Sequence, residues 1–237
     1  MKLTKRQEKI LDIIIREYVN SAQPVSSQLL EKKHDFGISP ATIRIEMQKL
    51  TDKGFLLQPH TSAGRVPTDK GYRVFVNNLL GKKETKEVKK ETKIEKWSES
   101  SDDDHFKFIQ SLTRQLAEET KSLVLNYIEN EDIFWKEGWE EVFKAPEFGE
   151  RDNIIDFAKL LKNFETHIEE LETEPGVRVY IGKENSFPKA KNFTVITSRY
   201  HLPGGERGII SIFGPKRMAY EKNISSINSL MRLFDNL

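Results

Sequence analysis

The chain has 237 residues, 37% of them hydrophobic, and a net charge of +1 from 38 Lys/Arg and 37 Asp/Glu, which is room for one large domain or two modest ones. The absence of cysteine excludes a disulfide framework, thiolate metal sites and a cysteine nucleophile, and fits a reducing compartment. No apolar run approaches the ~18 residues of a membrane helix, and Lys5-Arg6-Gln7-Glu8 is the wrong flank for a signal peptide, so a cytoplasmic protein without membrane contact is expected. The charge is unevenly placed: residues 1–80 hold 13 Lys/Arg against 8 Asp/Glu, and the remainder 25 against 29. A positive field at one end of the chain attracts polyanions, although many ordinary domains share an excess of this size.

Thr4-Lys5-Arg6-Gln7 has the form of a capping box, a hydroxyl for the first free amides and an amide side chain three residues on. Behind it Ile10, Leu11, Ile14, Ile15 and Tyr18 recur at three- and four-residue spacing, which predicts a helix to about Asn20 with one buried face. Pro24 interrupts it, and Ser26 or Ser27 caps a short second helix ending near Lys33. Ser39-Pro40 is the strongest helix start in the chain, because serine accepts amide hydrogens at the N-cap and proline gives up a donor that had no partner. The third helix, Pro40 to about Asp52, buries Ile43, Met47 and Leu50 and shows Ala41, Thr42, Arg44, Ile45, Gln48 and Lys49 on its other face. Gly54 ends it in the left-handed region. Phe55 to Gln58 reads as a short strand, Pro59 to Pro67 as a loop, and Thr68-Asp69 caps a fourth helix with Tyr72, Phe75, Val76 and Leu79 inward, closed by Gly81. That order matches a winged helix-turn-helix, whose second helix of the pair enters the major groove.

On this reading Ser39, Ala41, Thr42, Arg44, Ile45 and Lys49 face DNA. Arg44 is the residue expected to read guanine, since its fork matches O6 and N7 together, and Ile45, on the polar side of the helix, is placed to meet a thymine methyl. The plainer alternative is a solvated face with Ile45 against a neighbouring helix. The loop His60-Thr61-Ser62-Ala63-Gly64-Arg65 is small, polar and glycine-containing. It suits a wing in which Gly64 lets the backbone approach a phosphate and Arg65 reaches the sugar-phosphate chain or minor groove, with His60, Thr61 and Ser62 beside it. An ordinary hairpin loop is the alternative. Ser26 or Ser27 is expected to face phosphate.

Residues 82–104 carry 15 charged side chains of 23 and cannot offset the entropy of ordering. We read 81–104 as a linker between a domain at 1–80 and one at 105–237. In the second, a helix is expected from Phe106 to Tyr127, with Ile109, Leu112, Leu116, Leu123, Val124 and Tyr127 on one side. Its apolar spacing runs near a heptad, so it pairs with a second copy or packs on its own sheet. After Phe134, Trp135, Trp139 and Pro146-Glu147-Phe148, a helix is expected from Ile154 to Leu171. Strands follow at Val177 to Ile181, Phe193 to Tyr200 and Gly208 to Phe213, the last two joined as a hairpin through Leu202 to Glu206. A closing helix after Pro215 carries Met218, Ile224, Ile227, Leu230, Met231 and Phe234.

Leu3-Thr4-Lys5-Arg6-Gln7, Pro24-Val25-Ser26-Ser27, Ile38 to Arg44, and above all the run Gln58 to Arg73 closely resemble the heat-inducible transcription repressors of the HrcA type. Val177 to Asn185, Gly208 to Met218 and Pro146-Glu147-Phe148 resemble the same family's C-terminal portion. The resemblance implies an α+β fold: an N-terminal winged helix-turn-helix joined by the charged linker to a reduced GAF-like α+β domain. It implies a homodimer on an inverted repeat in double-stranded DNA upstream of chaperone operons, and a chaperonin that keeps the repressor active. It implies no cofactor. Typical members are longer, with extra strands and an inserted dimerisation domain between the helix expected at 106–127 and the Pro146-Glu147-Phe148 segment, and both are expected to be missing here. Family members commonly carry asparagine where this chain has Ile45, which implies a different operator preference, since asparagine bonds adenine bidentately and isoleucine does not.

No enzyme constellation accompanies these motifs. The five histidines, His34, His60, His105, His167 and His201, are scattered, and no glycine-rich phosphate loop or nucleophile elbow lies near Glu169, Glu170 and Glu172. Two rival readings stand beside the repressor: a regulator that binds a small effector in its C-terminal domain, and a winged helix that binds protein rather than DNA.

Overall fold

In a computed structural model the chain divides into two compact units, Met1–Lys86 and Glu87–Leu237, and the structure describes residues 3–81, 105–171, 176–202 and 205–235. The expected linker, from residue 82 to 104, lies outside the described residues.

The first unit begins with α1 (Lys5–Ser21), where the Thr4–Gln7 capping box forms in both directions. Its buried stripe is Ile10, Leu11, Ile14 and Ile15, each fully buried side chain stabilising the unit by about 1.5–3 kcal/mol. α2 (Ser27–Lys33) starts at Ser26, whose hydroxyl accepts from Leu29 N at 3.1 Å. α3 (Pro40–Asp52) starts at Ser39 with proline in its first turn and buries Ile43, Met47 and Leu50, as the sequence predicts, and also Glu46. Gly54 follows at φ 76°. Strands β1 (Leu56–Leu57) and β2 (Val66–Pro67) pair antiparallel, and α4 (Asp69–Gly81) closes the unit with Tyr72, Phe75 and Val76 buried. Val25, in the connection from α1 to α2, bridges to Arg65, so the wing is tied to the helices at its root.

The second unit is a five-stranded antiparallel sheet in the order β4-β3-β7-β6-β5. Its elements are α5 (His105–Thr120), β3 (Leu123–Ile128), β4 (Ile133–Glu137), α6 (Trp139–Val142), α7 (Arg151–Thr166), β5 (Arg178–Ile181), β6 (Phe193–His201), β7 (Arg207–Pro215) and α8 (Tyr220–Asp235). The helix expected from Phe106 to Tyr127 is corrected: it stops at Thr120, Lys121 turns at φ 51°, and the next six residues are a strand in the middle of the sheet. Leu123, Leu125 and Tyr127 join the core under α7, while Val124, Asn126 and Ile128 take the opposite face. All six are buried because helices cover both faces, and such a strand lacks the alternation that marks a half-exposed one. β3 thus takes the place of the end of the expected helix, and β4 supplies a strand in the following stretch, which was expected to lack one.

The pairing role offered for the first helix of this unit falls with the same correction. Ile109, Leu112 and Leu116 are fully buried, and α5 packs on β3, β4 and α8. Pro146-Glu147-Phe148 and the run through Arg217, far apart in sequence, meet: Arg217 holds Glu147 through Nε at 2.5 Å and Nη2 at 3.1 Å, and Phe148 enters the core. Trp139 and Phe143 stack at 5.9 Å on the outside of that core, each about 40% exposed.

Candidate nucleic-acid interface

α3 is built to show one face. Ile43, Met47 and Leu50 fix the other face in the core, and at 3.6 residues per turn this leaves Ala41, Arg44, Ile45, Gln48 and Lys49 outward. All five are exposed, Ile45 at 56%. The alternative of Ile45 against a neighbouring helix is thereby removed. Ser39 accepts from Thr42 N at 3.3 Å, and the two hydroxyls lie 3.1 Å apart. Arg44, Gln48 and Thr51 follow one another at four and three residues, so they form a strip along the side of α3.

A polar network centred on the buried Gln7–Glu46 pair sets the rotation of that face. Gln7, the capping residue of α1, donates from Nε2 to Glu46 Oε2 at 2.9 Å and accepts from Lys53 Nζ at 2.8 Å. Lys49 Nζ donates to Glu46 Oε1 at 3.0 Å. The start of α1 is thus bonded to the middle and the end of α3. Hydrogen bonds from Gln7 and then from Lys49 hold the Glu46 carboxyl below its ordinary 4.5. A carboxylate whose folded pKa is depressed contributes stability above its unfolded value, and that contribution is lost as pH falls through the folded value. Urea midpoints read from α3 amide resonances are therefore expected to fall as pH drops below about 4.5. Glu46→Gln, which cannot ionise, is expected to flatten that fall; an identical pH response in the variant would remove Glu46 from the account.

The wing is assembled by its own short bonds. Gln58 Nε2 donates to Thr61 O at 2.8 Å and Ala63 O at 3.0 Å, which gathers the tip, and leaves His60, Thr61 and Ser62 exposed. Thr68 caps α4, accepting from Gly71 N at 3.1 Å and donating to Gly54 O at 2.7 Å. Gly71 packs so tightly on the residue before β1 that a Cβ would stand 2.3 Å from Phe55 O.

Three expected residues stand differently from the sequence reading. Ser27 is buried, which takes it off the surface and leaves Ser26 of the pair. Gly64 makes its close approach to protein rather than to phosphate: a Cβ there would lie 2.4 Å from Val25 O. Arg65 does not extend from the wing; its Nε donates to Thr51 Oγ1 at 3.1 Å and its Nη2 to Gln48 Oε1 at 2.9 Å. Its guanidinium therefore lies on the strip that begins with Arg44, and the two arginines share a surface. Sequence reasoning missed Gln48, Thr51 and the Gln7–Glu46 pair as organisers of the site. The four-residue step from Arg44 to Gln48 was the available signal for the first of them.

Among the described residues no group of three His, Asp or Glu side chains is arranged to hold a metal, and no helix is long and apolar enough to cross a membrane. The family model for the HrcA protein C-terminal domain matches residues 69–224. The chain is 29% identical to the heat-inducible transcription repressor HrcA of Thermoanaerobacter pseudethanolicus, covering 100% of this chain and 97% of that protein. That alignment runs over 335 positions against the 237 residues here, so the relative carries segments that this chain lacks. An HrcA repressor from Alkaliphilus metalliredigens is 56% identical over 80 residues, 34% of this chain and 23% of that one. Among solved structures, one titled a hypothetical protein at 2.2 Å resolution superposes with a TM-score of 0.86 at 23% identity, over 99% of this chain and 98% of that one, which shows a shared fold. Matched by the family's own model over residues 69–224, the chain belongs to the HrcA family of heat-inducible transcription repressors.

Proposed function

We propose that this chain represses heat-shock operons by laying the exposed face of α3 in the major groove of an inverted-repeat operator, as a homodimer. It is a sequence-specific DNA-binding regulator of the HrcA family. The observation that carries the placement is the exposed Arg44–Ile45 pair on a helix whose opposite face is locked in the core and whose rotation is set by Gln7 and Glu46. In this reading Arg44 takes guanine O6 and N7, Ile45 a thymine methyl, and Ser39, Ala41 and Thr42 line the helix start. Lys49 and Ser26 lie toward phosphate, and His60, Thr61 and Ser62 present the wing tip to the adjoining backbone.

A single winged helix reads few bases, and a twofold pair matches a palindrome and multiplies the discrimination. With the α5 stripe engaged in its own unit, we assign the pairing contact to the open Trp139–Phe143 stack, formed by the first residue of α6 and the residue that follows the helix. The antiparallel sheet with helices on both faces supports a GAF-like reading of the second unit, and by family analogy a chaperonin is the partner that keeps the repressor active. Gel shifts with a full inverted repeat and with one half-site, run beside light scattering, test the dimer. A dimer in solution and a strong preference for the full repeat are expected. Equal affinity for both duplexes would contradict the twofold reading, and an unchanged dimer in Trp139→Ala/Phe143→Ala would contradict the surface.

A further inference from the structure

The wing arginine is turned inward, and its partners are matched to it atom by atom. Its main chain is fixed first: Arg65 N donates to Val25 O at 2.8 Å, and Val25 N donates to Arg65 O at 2.9 Å. The preceding Gly64 sits where a side chain has no room, so the root of the wing has little freedom to slide. From that fixed root the guanidinium spans two residues of α3. Thr51 donates its hydroxyl hydrogen to Met47 O at 3.0 Å, which leaves its lone pairs for Arg65 Nε. Gln48 accepts from Arg65 at Oε1 and donates from Nε2 to Asp52 Oδ1 at 2.8 Å. The series Arg65 to Gln48 to Asp52 runs from a cation to a carboxylate with each donor facing an acceptor. The wing tip, gathered by Gln58, follows the root.

We propose that Arg65 is a positioning residue and not a phosphate contact: it latches the wing to α3 through Gln48 and Thr51 and fixes the spacing of the two DNA-reading elements before DNA arrives. The proposal rests on the DNA-binding reading above. A wing already held in place carries no ordering cost on association, whereas a free one must be immobilised in the complex. The same contact holds the Gln48 amide in one orientation at the middle of the reading face.

The test uses the full chain and an inverted-repeat duplex selected by the wild type from random sequence. Arg65→Ala is expected to lose about tenfold in affinity, with an unchanged salt slope. Gln48→Ala/Thr51→Val keeps the arginine and its charge, yet is expected to lose about as much, and the triple variant no more. Arg65→Lys is expected to behave like Arg65→Ala, because one ammonium cannot span both acceptors. Overturning results are full affinity in Arg65→Lys, a slope lower by ~0.9 in Arg65→Ala, or full affinity in Gln48→Ala/Thr51→Val. If the wild type shows no preference for any duplex, the DNA reading itself fails, and hydrogen exchange in the free chain decides the latch. Faster exchange of the Val25 and Arg65 amides in Arg65→Ala and in Gln48→Ala/Thr51→Val supports it; unchanged exchange overturns it.

Discussion

Replacing Phe157 by alanine is expected to cost the second unit about 3–5 kcal/mol, the range for removing a buried aromatic ring. Phe157 is fully buried on α7 and its ring meets Phe148 at 5.0 Å, Phe193 at 5.1 Å and Phe143 at 6.2 Å. It thus joins α7 to the segment after α6 and to the sheet through β6. All three tryptophans of the chain, Trp97, Trp135 and Trp139, fall after the first unit, so urea denaturation followed by tryptophan fluorescence does not read the first unit and reports on the second. A loss under about 1 kcal/mol would mean that the site collapses around the deletion and that the aromatic cluster is not the hub of the core. The variant also separates the two units functionally. The helices of the first unit pack on one another and on the wing strands, so residual single-site DNA binding is expected to survive while the preference for a full repeat declines with the second unit.

Arg44→Ala is expected to weaken binding to the selected operator by about 1–3 kcal/mol and to relax specificity at one base step, the loss of a bidentate pair with guanine. Binding to random duplex should change far less. Lys49→Ala is the contrasting variant. Its ammonium is exposed apart from the bond to Glu46, so its removal should weaken specific and random duplexes alike and lower the salt slope by ~0.9. Competition gel shifts with both duplexes at three salt concentrations separate the two effects. Equal losses on both duplexes for both variants would discredit the assignment of α3 as the reading element.

The first unit was legible in the sequence because its signals are local. Thr4 with Gln7, Ser39 with Pro40, Gly54 and Thr68 each act within a turn of their own position, and each stands where the caps and breaks were expected. The buried stripes of α1 and α3 follow directly from helical spacing. Illegible were the contacts that join distant residues: Gln7 reaching Glu46, Gly64 against Val25, and Arg65 lying on Gln48 and Thr51. An arginine near a loop tip reads as exposed until a partner across the fold is known. In the second unit, Leu123 to Ile128 misled for a different reason. With both faces covered, its apolar residues are continuous, and a continuous run extends a helical stripe as readily as it makes a strand. The left-handed turn at Lys121, a residue type that gives no sign of that conformation, marks the break.

Ile45 remains the residue that most distinguishes this reading face. At 56% exposure beside Arg44 it offers a methyl-sized apolar surface and no hydrogen bond, so the selected operator should place a thymine next to the guanine, and uracil in its place should bind less tightly.

The most direct measurement replaces the contacted guanine by 7-deazaguanine, which removes the N7 acceptor from the major groove and leaves base pairing intact. Wild-type affinity is expected to fall by about half of what Arg44→Ala loses on the natural duplex, since the O6 acceptor remains, and Arg44→Ala is expected to be indifferent to the replacement. Equal losses in wild type and variant at every guanine of the repeat would show that α3 does not read that edge.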